Sequence, residues 1–152
     1  MYKCGDYVIC KSGGVWNIVE KASDSIILKE YISGLEKTVD IKDDEIVRSI
    51  CSKDVIEEAI DRVGFIKTLK APNDKARKEI YDSIMSEYDE ISWISIIKTI
   101  YIREKDHRLM PKELEYGKKA KEYFHSEVSI LLNIEYKDVE KYISDKVTSD
   151  LW

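Results

Sequence analysis

The hydrophobic period of this chain changes once, at Ser52, and that change bounds the fold. Before it, β-branched and aromatic residues come in short runs at 7–10, 15–20, 25–31 and 37–41, with a fifth at 47–50. Gly13-Gly14, Ser23-Asp24-Ser25 and Ser33-Gly34 punctuate them as turns. Short strands on tight turns predict a small closed barrel, because an open sheet of this size leaves two edges bare. After Ser52 the apolar spacing becomes helical.

Asp54 and Glu57 have capping-box spacing, and Ile56, Ala59, Ile60 and Val63 follow on one face. This helix is expected to run to Lys70, since Pro72 disfavours helical geometry at Ala71. Residues 71–74 form the expected boundary. Four helices should follow. Ile80, Tyr81, Ile84, Met85 and Tyr88 stripe the first. The second, 91–105, is apolar on most of its circumference and reads as the buried centre, with Trp93 in the core. Pro111 suits the first position of the third, which carries Leu114, Ala120, Phe124, Val128 and Leu131 inward. The last spans 133–147. The domains are therefore expected at 1–70 and 73–147, with 148–152 as a loose tail.

Reactive chemistry finds little support. His107 and His125 are the only histidines, with no carboxylate or cysteine at ligand spacing, so no metal is expected. No phosphate loop is present. Cys4, Cys10 and Cys51 are an odd set suited to a reducing cytosol. Neither an enzyme nor a cofactor site is expected, and no small-molecule substrate. No apolar run is long enough for a membrane span, and no secretion leader is evident.

Charge is segregated along the chain. Residues 67–78 hold five basic residues and one acid, and 98–121 hold eight basic and four acidic. The stretch between, 79–97, has five acids and no base. The two basic segments could form one face that binds phosphates with little sequence preference, or they could be ordinary solvated helix surface.

Ordered along the chain, several motifs resemble the CarD (CdnL) family of bacterial transcription regulators. These are the opening Lys3-Cys4-Gly5-Asp6-Tyr7-Val8-Ile9, then Thr38-Val39-Asp40-Ile41, then Ile66-Lys67-Thr68-Leu69-Lys70-Ala71-Pro72. In the second half they are the run from Ile96 to Lys105, then Leu109, Glu113 and Lys119-Ala120-Lys121. The family's tryptophan after the linker has no counterpart in Asn73 to Lys78, and its Glu-Lys pair reads Glu113-Leu114, so the chain resembles a divergent member.

The resemblance implies an α+β chain with an N-terminal Tudor-like, SH3-like barrel followed by an all-helical domain. It implies docking on the RNA polymerase β subunit and contact with promoter DNA at the upstream edge of the bubble. The location implied is the bacterial cytoplasm, at the nucleoid through polymerase. Strand addition at an edge formed by 25–31 or 37–41 would supply the docking. The docking residues expected are Lys37, Thr38, Val39, Ile41, Ile26 and Leu28. The DNA contacts expected are Lys98, Arg103, Lys105, Arg108, Lys118 and Lys119, with Arg77 and Lys78 in second rank. The alternative is a protein–protein interaction module that uses the barrel alone.

Overall fold

Alternating apolar residues shape the first third of the chain into strands. A computed structural model describes residues 2–147 and 152. Its strands are β1 (Tyr7–Cys10), β2 (Val15–Lys21), β3 (Ser25–Glu30), β4 (Glu36–Asp40) and β5 (Ile46–Ser49). All pairings are antiparallel, in the order β4-β3-β2-β1-β5. The register shifts between Ile18 and Glu20 and between Ile9 and Cys10, and such irregularities increase local twist. The sheet curls around Val8, Cys10, Trp16, Ile18, Ile26, Leu28 and Val39, none more than 8% exposed. Trp16 belongs to this core, and its indole Nε1 donates to Gly13 O at 2.8 Å.

The sheet does not close, which corrects the expected closed barrel. Strands β4 and β5 do not pair. Side chains bridge that gap instead: Lys37 Nζ lies 3.5 Å from Glu45 and donates to Ser12 Oγ at 3.0 Å. Strand β3 is paired on both sides, so it is not an edge. That role falls to β4.

The helices are α1 (Lys53–Asp61), α2 (Asp74–Met85), α3 (Glu90–Lys105), α4 (Glu113–Leu132) and α5 (Tyr136–Lys146), with a 3-10 turn at Val63–Phe65. Ser52, not Asp54, caps α1, accepting from the Val55 amide. Asn73 and Asp89 cap α2 and α3 in the same way. α1 ends well before Lys70, at Asp61, and gives way to the 3-10 turn, where the Lys98 ammonium donates to the carbonyls of Val63 and Ile66, each at 2.7 Å. Pro111 lies in the turn before α4 rather than within it. Asn133 adopts a left-handed conformation (φ 55°) and ends α4, which delays α5 to Tyr136.

α3 is the centre of the helical half, with Trp93, Ile94, Ile96, Ile97 and Ile100 buried. Trp93 stacks on Tyr123 of α4, centroids 4.9 Å apart. Leu114 is 55% exposed, contrary to its expected inward position. The helical core extends into the sheet through Ile9 and Val15. Polar bonds reinforce the joint: Tyr123 donates to Cys10 O, Tyr31 Oη and Ser129 Oγ lie 2.6 Å apart, and Lys119 Nζ donates to Lys11 O at 2.9 Å. Of the expected tail, 148–151 fall outside the described residues; Trp152 meets Phe124 edge-on at 6.4 Å. No helix among the described residues is long and apolar enough to cross a membrane.

The β1–β2 turn depends on Gly14, at φ +80°, where an added Cβ would sit 2.6 Å from a Glu30 carboxylate oxygen. Gly14→Ala is expected to destabilise the chain by about 1–2 kcal/mol, read from the shift of its urea unfolding curve.

Candidate docking edge and basic surface

The β4 edge follows from hydrogen-bond parity. Ile41 N donates to Asp24 O and Glu30 N donates to Leu35 O. Antiparallel ladders alternate bonded and non-bonded pairs. In the observed register, Lys37 and Val39 therefore spend their backbone groups on β3. Glu36, Thr38 and Asp40 direct theirs to the outer side, where no strand lies among the described residues, although the Asp40 carbonyl already accepts from the Asp43 amide at 2.9 Å.

The expected docking side chains divide accordingly. Ile26, Leu28 and Val39 are buried in the sheet's own core. Lys37 is held by Ser12 and Glu45, and its ammonium lies 4.2 Å from the centre of the Trp16 ring. Thr38 is exposed, and Ile41 is 49% exposed just beyond the strand. A partner strand would meet main chain and these two side chains.

The expected DNA contacts are more heavily committed. Lys98 is 2% exposed, and its ammonium serves the two carbonyls behind α1; burial pulls its pKa below the ordinary lysine value. This placement removes Lys98 from any surface. Arg103 forms two bonds with Glu113, both 2.9 Å, and a third with Arg108 O. Tyr81 and the Met110 amide also donate to Glu113. Burial pushes the Glu113 carboxyl up, but bonds from Arg103, Tyr81 and Met110 outweigh it and leave its pKa below the ordinary range. Arg103 thus anchors the α3–α4 loop.

Lys119 bonds Lys11 O, Arg77 reaches Leu69 O at 3.4 Å, and Lys78 pairs with Asp82 at 2.9 Å. Lys105, Arg108 and Lys118 are exposed, and their side chains make no bond among the described residues. Arg103 and Arg108 meet beside Glu113, whereas Lys118 lines a groove between α3, α4 and α5.

The narrower end of this groove holds about 200 Å³ and is lined by Tyr101, Lys121, His125, Glu140 and Trp152, among others. His125 is 5% exposed, and its Nε2 has no partner among the described residues. Burial pushes the imidazole down to about 4, so it is neutral at pH 7. Glu140 is tied to Lys121 at 3.2 Å, and no hydrogen bond joins it to His125 among the described residues.

A further cluster escaped the sequence reading. Arg48 of β5 donates to Glu90 of α3 at 2.7 Å and to Glu127 of α4 at 3.3 Å. Its Nε donates to Tyr88 O at 2.9 Å, and its guanidinium lies 5.4 Å from the Trp93 ring centre. The Cys51 amide also donates to Glu127. Cys51, Glu90 and Glu127 are the one trio among the described residues with donor atoms close enough to share a metal ion, within 4.8 Å. Arg48 already supplies the positive charge there. The available signal was a glutamate placed between the inward-facing Phe124 and Val128.

No known family model matches this chain, and no curated protein matches it significantly.

Lys98→Met is expected to leave the carbonyls of Val63 and Ile66 without their donor and to cost about 1–3 kcal/mol in urea unfolding. DNA affinity of the folded variant should be unchanged.

Proposed function

We propose that this chain docks on the RNA polymerase β subunit by strand addition at β4 and places its helical half against promoter DNA near the upstream edge of the bubble, stabilising the open complex. The curled five-stranded sheet is read as the counterpart of the Tudor-like barrel in the CarD family. The observation that carries the reading is the outer side of β4, which no strand covers among the described residues and which bears the backbone groups of Glu36 and Thr38 and the N–H of Asp40. Main-chain bonds would give affinity, with Thr38 and Ile41 adding side-chain contact. DNA contact falls to Lys105, Arg108 and Lys118. With so few uncommitted cations, that contact is weak and sequence-tolerant, and tethering to polymerase compensates through effective concentration.

A second reading is favoured by one specific observation: Lys98, Arg103 and Lys119 are all spent on internal bonds. Here the sheet alone binds protein and the helices serve as its support.

Thr38→Pro removes an outward N–H without touching the bonds to β3, a position where sheets tolerate proline. Binding of full-length chain to the polymerase β lobe should weaken at least ~10-fold, about 1.4 kcal/mol, with little change in Tm. An unchanged Kd would remove the docking claim. DNA affinity followed against salt separates the two readings. The regulator gives a negative log–log slope that shrinks by about 0.9 for each of Lys105, Arg108 and Lys118 replaced by alanine. A flat line selects the second reading.

A further inference from the structure

The Arg48 cluster carries a charge imbalance. Two carboxylates, Glu90 and Glu127, face one guanidinium. Glu127 is fully buried. Its Oε2 accepts from Arg48 and from the Cys51 amide, while its Oε1 is buried with no partner among the described residues. A carboxylate oxygen left bare in a low-dielectric interior is costly. A carboxylic acid at the same place can donate instead, and the neighbouring carboxylate is Glu90, with oxygens of the two groups within 4.8 Å and a hydrogen bond between them among the causes that raise the Glu127 pKa.

We propose that Glu90 and Glu127 share one buried proton, and that this proton ties α3 to α4 inside the cluster through which Arg48 and the Cys51 amide hold both helices to the sheet. The bonds span the joint: Arg48 and Cys51 come from β5 and the segment after it, Glu90 from the first turn of α3, and Glu127 from the C-terminal third of α4. With the proton in place the net charge of Arg48, Glu90 and Glu127 is zero. Without it, a second negative charge is buried beside Glu90 with a single cation to hold both.

The other group that titrates against Glu127 is the Cys51 thiol. Burial pushes it up, and the charges of Glu127 and Glu90 push it further, so it stays protonated. Burial, then the hydrogen bond and charge of Glu90, drive the Glu127 carboxyl up to about 8, against the smaller opposing pull of Arg48 and the Cys51 amide. An unfolded glutamate ionises near pH 4.3. Between that pH and about 8 the folded chain holds a proton that the unfolded chain has released. Stability from this pair is therefore complete below pH ~4.3, declines as pH rises, and is lost once pH passes the folded value.

The test uses full-length protein, wild type and Glu127→Gln, whose amide keeps a donor toward Glu90 at every pH. Carboxyl carbon shifts followed by NMR should show one glutamate titrating near pH 8 in the wild type and none there in E127Q. The Tm of wild type relative to E127Q should fall steadily from pH 5 to 8 and then level. The proposal is overturned if every wild-type carboxyl titrates below about pH 6, in the ordinary glutamate region, or if the Tm difference is flat over that range. Should E127Q fail to fold, the wild-type carbon titration decides alone.

Discussion

Burial of β1 on both of its faces is the constraint from which the rest of this structure follows. Val8 and Cys10 point into the sheet's own core, and Ile9 points into the helical core. All three are fully buried, and each contributes on the order of 1.5–3 kcal/mol by leaving water. This strand is also paired along both edges, with β5 on one side, where Arg48 meets α3 and α4, and β2, β3 and β4 following in sequence on the other. Strand β4 is the far end of that series, which is why its outer backbone groups have no partner strand.

The same joint explains where the positive charge goes. A cation drawn into the fold loses hydration and must be compensated by the carbonyls and carboxylates it meets. Lys98 holds two carbonyls in and after the 3-10 turn that follows α1, Arg103 secures the turn into α4, Lys119 pins α4 to the β1–β2 turn, and Arg48 joins three elements. These side chains count as basic in composition and contribute little to the field outside. The surface that remains for an anionic partner is much sparser than the lysine and arginine count suggests.

Much of the fold is legible in the sequence, because strand alternation, caps and the apolar circumference of α3 are local signals. The five strands and the buried α3 with Trp93 at its core follow from them. What is not legible is long-range. Closure of the sheet depends on whether β4 and β5 meet, and nothing in either run encodes their distance. The segment after α1 is held by Lys98, more than thirty residues away in sequence. The candidate edge is half legible: 37–41 is the free strand, but β3 has the same β-branched character and lies inside the sheet. The basic segments read correctly as charge and wrongly as surface at Lys98, since one-dimensional counting cannot tell a solvated lysine from one buried against carbonyls. Arg48 and Glu127 leave a fainter trace still, an acid next to the inward-facing Val128.

Hydrogen–deuterium exchange on the full chain, resolved by residue and repeated with the polymerase β lobe present, tests the central claim most directly. The account predicts that in the free chain the amides of Glu36, Thr38 and Asp40 exchange freely while those of Lys37, Val39 and Ile41 are protected, and that the partner slows the first three. Slow exchange at Glu36, Thr38 and Asp40 in the free chain, or no change on adding the partner, would contradict it.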